Sequence, residues 1–281
     1  MKKINNITVG IDFSENSVNA FHYARSFARS INASLTLVHV KESPVIVSDV
    51  MIPSFPPEDN ESLVKELEKI IAQENSATEK VKEIKIKILT GNAVSTLSEL
   101  PENTGTDILI LGTTGLSKVM TTLLGSTSLK ISNQAHCPVI LVPSDAKWQA
   151  ISQVMFASDY DSLTSVFVNK ITEFAQALHT NVHFVNVRNY DPILEPKQKD
   201  IDWSGLLQSY PANLAYKKST VYGNDTVAEL QNYCASNTIQ LMAFASKHRN
   251  FWANLTHKSI TAKMALSTQL PMMVMHLDDE V

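Results

Sequence analysis

A chain of 281 residues, 44% of them apolar and 19% charged, has the length for two domains of about 140 residues, each able to bury its own core. A formal net charge of −4 without a basic tract sets nucleic acid and membrane surfaces aside, and no apolar run approaches the ~20 residues of a membrane span. Two cysteines, Cys137 and Cys234, give neither a disulfide framework nor a CxxC pair, and Asn5, Asn6 and Asp12 interrupt any leader-like apolar stretch, so a reducing, cytoplasmic setting is expected.

From the amino end, strand and helix patterns alternate. An apolar strand over 4–11 runs into Asp12, and Ser14 is the natural cap of the helix that follows. That helix, 15–31, carries Ala20, Phe21, Ala24, Phe27, Ala28 and Ile31 at spacings of three and four. A strand over 33–40 ends at Val40. Pro44, Pro53, Pro56 and Pro57 then punctuate a loop before a helix over 58–78. "EIKIKIL" at 83–89 alternates strictly, the pattern of an edge strand with one wet face. A helix over 92–103 leads to the strand 107–112, whose continuous apolar run suits burial on both faces. A helix over 126–135 and a strand over 138–142 complete the unit, and "PSDAKWQA" at 143–150 is a short linker that Trp148 ties to the fold.

Three of the eight glycines, Gly112, Gly115 and Gly125, fall within fourteen positions between a strand and a helix. Glycine admits positive φ and close backbone approach, and a helix start offers unpaired N–H groups at the positive end of its dipole. Thr113, Thr114, Ser126, Thr127 and Ser128 add hydroxyls. From spacing alone, phosphate binding and a purely structural glycine loop stand on equal terms. Neither GxxxxGK[ST] nor GxGxxG occurs in the chain.

The second half repeats the first. "ITVGIDFSENS" at 7–17 answers "VMFASDYDSLT" at 154–164, and "LTLVHV" answers "VHFVNV" at the same offset of 147. "TGNAVSTLSEL" at 90–100 answers "YGNDTVAELQN" at 222–232, offset 132, and "CPVILV" answers "LPMMVM", offset 133. The second copy is therefore 15 residues shorter before its Gly-Asn turn and one residue longer near its end. The expected fold is α/β: two tandem, doubly wound, parallel five-stranded sheet domains, 1–145 and 150–281.

The pattern Gly-x2-Gly-x9-Gly-Ser, with "VGIDFS" opening the unit and "CPVILV" closing it, resembles the universal stress protein family, in particular tandem members of its ATP-binding branch. The resemblance spans both copies and implies an adenine-nucleotide α-hydrolase-like fold, with the two halves packed as an internal pseudo-dimer through Pro138 to Val142 and Pro271 to Met275. It implies ATP, ADP or AMP, with or without Mg, bound once per chain in the first half. Asp12 would meet the adenine edge, with Ser14 beside it, and the backbone at Val40 would meet the base. Gly112, Thr113 and Gly115 would face ribose and phosphates, and Gly125, Ser126 and Thr127 would cradle phosphate. Asp12 has a second role open to it, capping the helix, although Ser14 is the better candidate for that.

At the matching places the second half carries Ala245, His248 and Lys258, with Ser259 and the strand-end Asp159 retained, so no standard nucleotide site is expected there. Lys247, His248, Arg249, His257 and Lys258 gather charge around that mouth, either as a solvated basic face or as an altered anion or protein-partner site. His179 and His183 straddle a helix end and a strand start, which argues against shared metal ligation, and His39 and His136 read as packing residues. Met155, Met242, Met264, Met272, Met273 and Met275 read as core filler. No nucleophile elbow or triad spacing is visible. The leading reading is a nucleotide-binding stress-response regulator without metal or catalytic residues, as an internal pseudo-dimer with or without further dimerisation. A slow ATP hydrolase or nucleotide-dependent transferase is one alternative, and a partner-binding scaffold with structural ATP is another.

Overall fold

The computed structural model describes residues 3–42, 59–73, 81–113, 126–157, 165–188, 207, 210, 212, 214–246, 264 and 267–276. The first half runs β1 (Asn6–Gly10), α1 (Glu15–Ser30), β2 (Ser34–Lys41), α2 (Asn60–Ala72), β3 (Ile84–Thr90), α3 (Ala93–Ser98), α4 (Leu100–Thr104), β4 (Ile108–Thr113), α5 (Ser126–Gln134) and β5 (Val139–Pro143). The second half gives β6 (Gln153–Ala157), α6 (Ser165–Leu178), β7 (Asn181–Arg188), β8 (Tyr216–Tyr222), α7 (Thr226–Ser236), β9 (Leu241–Ser246) and β10 (Met272–His276).

The strands form one ten-stranded sheet in the order β3-β2-β1-β4-β5-β10-β9-β6-β7-β8. Each half is a parallel five-stranded sheet, and the halves join edge to edge where β5 meets β10 antiparallel. Ile140 lies opposite Met273, its own counterpart at the offset of 133, with Leu141 opposite Met272 and Val139 opposite Val274. Each half thus presents the same strand to the other, as in a two-fold dimer. The pairing covers two apolar edges that would otherwise template association, and leaves the lysine-bearing strands β3 and β8 outermost.

Because side chains alternate along a strand, these apolar runs feed two cores, one on each face. Ile108 and Ile110 join Phe21, Ala24 and Phe27 of α1, Leu67 of α2 and Ile171 of α6. Leu109 and Leu111 join Leu97 of α3, Ile131 of α5 and Leu230 of α7 on the other face. Both cores run unbroken across the seam. Trp148 packs edge-on to Tyr23, with ring centres 5.1 Å apart, and Asn19 donates to the carbonyls of Pro143 (3.0 Å) and Ala146 (3.1 Å), so α1 holds the linker.

Two expectations need correction. The helix expected over 92–103 is broken into α3 and α4 at Glu99, because Pro101 has no N–H to continue the ladder. Cys234 stands at the matching place, and α7 is unbroken. The extra residue of the second copy lies in the Gly-Asn turn itself, not near the end. The amides of Gly91 and Gly223 both donate to the end of the neighbouring strand, Lys41 and Arg188. The helix caps, however, are Asn92 and Asp225, so Asn224 is the insertion.

With that register, other features fall into pairs. Asn32 (φ 55°) and His179 (φ 52°) turn the chain after α1 and α6, and Gly105 (φ 67°) and Thr238 (φ 49°) precede β4 and β9. Asp107 Oδ2 accepts from the amides of Asn5 (2.9 Å) and Asn6 (3.0 Å), and Gln240 Oε1 accepts from those of Ser152 (3.0 Å) and Gln153 (2.8 Å). No described helix is long and apolar enough to cross a membrane.

Candidate functional site

In the first half the chain order reverses beside β1, and α1 and α5 pack on opposite faces of the sheet. Such a reversal opens a crevice beyond the carboxyl ends of the strands. Asp12 and Ser14 follow β1, Val40 is the penultimate residue of β2, Gly112 and Thr113 end β4, and Ser126 and Thr127 open α5. These residues gather at one end of the sheet. Thr114, Gly115 and Gly125 lie outside the described residues, as do Asp159, Lys247, His248, Arg249, His257, Lys258 and Ser259.

Ser14 is the N-cap of α1: its Oγ accepts from the Ser17 amide (3.2 Å) and donates to Asp12 Oδ1, which also receives the Ser14 amide (3.0 Å). Asp12 therefore braces the cap while remaining exposed. Burial pushes its carboxyl up, but hydrogen bonds from the Ser14 and Ser17 hydroxyls and from backbone amides outweigh this and hold it below the ordinary 3.8. It is a charged acceptor at neutral pH. Between them Phe13 takes φ 63° and packs against His39 at 4.7 Å, and His39 Nδ1–H donates to the Ile11 carbonyl (2.8 Å). Nothing in the sequence pattern signals a positive φ at an aromatic residue such as Phe13.

Gly112 has a reason inside the fold. A Cβ there would lie 2.5 Å from the Asn16 carbonyl oxygen and 3.0 Å from the Ser17 amide nitrogen, both backbone atoms of the start of α1. Thr113 is buried, and its hydroxyl lies 3.5 Å from the Val142 carbonyl of the neighbouring strand β5. Thr127 is exposed on the first turn of α5. Ser128 Oγ donates to the Gly112 carbonyl at 2.8 Å, tying the start of α5 to the end of β4. The start of α5 thus stands beside the end of β4. Such a site can accept from a donor at Asp12 and donate to an anion through amides at the start of α5.

In the second half Ala245 lies opposite Met275, as Gly112 lies opposite Val142. His183 bonds Tyr233 and Gln153, each at 3.0 Å, and His179 is the positive-φ residue after α6, so the two histidines have separate structural roles. The His136 amide donates to the Ser98 carbonyl. Among the described residues no group of three or more His, Cys, Asp or Glu could hold a metal ion.

The family model described as "Universal stress protein family" matches residues 3–143. A universal stress protein of Methanocaldococcus jannaschii is 29% identical over 150 residues, covering 50% of this chain and 83% of that protein. One of Mycobacterium tuberculosis (strain H37Rv) is 23% identical over 291 residues, covering 95% of each chain. The crystal structure of a universal stress protein from Archaeoglobus fulgidus superposes with a TM-score of 0.71 at 15% identity, over 97% of this chain and 98% of that one.

Proposed function

Because the chain belongs to the universal stress protein family, we propose that it is a stress-response regulator whose first half holds one adenine nucleotide, as ATP, ADP or AMP. The observation that carries this reading is the 2.8 Å bond from Ser128 to the Gly112 carbonyl, which sets the start of α5 beside the end of β4 at the reversal point. The donor set fits the ligand. Amides at the start of α5, at Ser126 and Thr127, with the exposed hydroxyl of Thr127, suit phosphate oxygens, and the exposed carboxylate of Asp12 suits the exocyclic amine of adenine. Gly115 and Gly125 would admit the phosphates close to the backbone, and the end of β2 at Val40 would meet the base. Mg, where it accompanies the nucleotide, would neutralise phosphate charge. The protein's own part is to bind and orient. Asp12, the carboxylate among the named site residues, is assigned to the adenine end rather than to the phosphates, so turnover is slow or absent and the nucleotide acts as a signal. Both cysteines are buried thiols, which suits a reducing cytoplasm. The second half, with Ala245, His248 and Lys258 in place of the glycines, holds no nucleotide and is free to meet a protein partner.

The test is titration calorimetry with ATP on the wild type, Gly125→Lys and Lys258→Gly. The chain already carries that lysine in its second copy. Charged hydrogen bonds contribute roughly 1.5–3 kcal/mol each, so losing two weakens binding by about 3–6 kcal/mol, roughly a hundred- to ten-thousand-fold. One site per wild-type chain and a loss of that size in folded Gly125→Lys are expected. Two sites, or unchanged affinity, would overturn the proposal.

A further inference from the structure

At the amino ends of β9 and β10, the end of the sheet away from the proposed nucleotide mouth, the two halves differ in a second way. In the first half the Ser98 carbonyl, at the end of α3, accepts directly from the His136 amide at 3.2 Å, so the two backbones touch. At the matching place the second half has Gln231 on α7, and its side chain makes the link. Gln231 Nε2 donates to the carbonyl of Ser267 (3.2 Å) and to its Oγ (2.9 Å). A long side chain thus spans where two backbones meet in the other copy, and a cleft of about 410 Å³ opens beside it. That volume lies within the range of small-molecule sites, ~300–1,000 Å³.

The lining states what the cleft can hold. Cys234, Ile239, Met242 and Leu270 make an apolar floor, and Gln231 and Thr238 stand among the polar groups of the rim. None of the described lining side chains carries a formal charge at neutral pH. An ion entering would lose its hydration without a counter-charge, whereas a neutral amide or hydroxyl finds hydroxyls and carboxamides to pair with. A methionine on the floor favours an aromatic ring. Cys234 is already directed inward, its thiol 3.6 Å from the Met155 sulfur, and burial pushes it up to about 12, so it stays protonated and adds no covalent chemistry.

We propose that this cleft between α7 and the segment leading into β10 binds a small uncharged molecule that joins an apolar ring to one amide or hydroxyl group. It is a second ligand site, in the half whose nucleotide site has lost its glycines. Benzamide is the probe, with benzoate and benzylamine as charged analogues of the same size. The full chain, labelled with 13C at its methionine methyls, is titrated by NMR. Benzamide is expected to shift the Met242 methyl saturably, with a dissociation constant on the order of 1 mM, typical of so small a ligand. The charged analogues should bind at least tenfold more weakly. Ala235 is exposed on the rim, so Ala235→Trp fills the cleft without entering a core and should also weaken benzamide at least tenfold. No saturable shift at Met242, equal binding of benzoate, or full binding by Ala235→Trp would overturn the proposal.

Discussion

Gly112 and Ala245 stand at the same point of the repeated sheet, each opposite a residue of the central strand pair, Val142 and Met275. At Gly112 the missing Cβ lets the start of α1 approach the strand end to contact distance. The second half carries a methyl group there, and earlier in the same copy Gln231 and Cys234 stand where the first half has Ser98 and Pro101. Elsewhere the two halves keep a physical role while changing the residue. Asn92 and Asp225 both cap a helix, Gly105 and Thr238 both take positive φ, and the side-chain oxygens of Asp107 and Gln240 both clamp the chain entering the half. Two copies of one fold therefore separate positions that hold the backbone from positions that shape a cavity. At the first kind the hydrogen bond or the turn persists when the residue changes, even at Thr238, which lacks glycine's freedom at positive φ. The second kind have changed freely.

The largest expected effect is at the seam that makes the comparison possible. Met273 is fully buried opposite Ile140 on the pseudo-two-fold axis. Met273→Asp would bury an unpaired charge, so urea unfolding is expected to show a loss of more than about 4 kcal/mol. Lys85→Thr, at the outer edge strand, should stay within about 0.5 kcal/mol. Equal effects at the two places would mean that the halves do not depend on each other. A smaller effect separates the strand ends. Gly112→Ala forces backbone atoms of α1 to move, an overpacking cost of about 1–3 kcal/mol, and Ala245→Gly costs about 0.5–1 kcal/mol. Thermal unfolding of the two variants measures the difference, and a stable Gly112→Ala would leave the glycine with no duty beyond the ligand.

Much of this organisation could be read in advance, because alternation and repetition are local signals. The edge strand β3 announces itself in "IKIKI", the buried strand β4 in "ILIL", and the duplication in offsets that hold over whole segments. Tertiary contacts leave no such mark. The reason for Gly112 lies in Asn16 and Ser17, close to a hundred residues earlier, and the closing bond from Ser128 depends on how α5 returns to β4. Letter matching of "GN" with "GN" hides the insertion at Asn224, because the capping role has moved to Asp225. The break at Glu99 was legible in Pro101, whose missing N–H outweighs the apolar spacing that suggested one helix.

The smallest effect sharpens the comparison by pH. His183 lies where the first half has Thr36, so the second core contains a titrating group at a position where the first has none. Gln153 Oε1 can only accept, so Nε2 carries the proton, and Nδ1 accepts from the Tyr233 hydroxyl, whose oxygen stands 2.9 Å from Ser219 Oγ. A second proton on the ring would have to reverse the bond to Tyr233. Burial, and then the charge of Lys217, hold the His183 pKa below its ordinary 6.5. The unfolded chain therefore takes up the proton first as pH falls, and stability rises with pH across this window. The contribution of this site is complete above about 6.5 and is lost as pH drops from there through the depressed folded value. His183→Thr installs the first half's residue and removes the titration. Urea midpoints measured from pH 7.5 to 5 should fall more steeply for the wild type than for His183→Thr. Parallel curves would mean that the ring stays neutral in both states and that the second half, in this respect, behaves like the first.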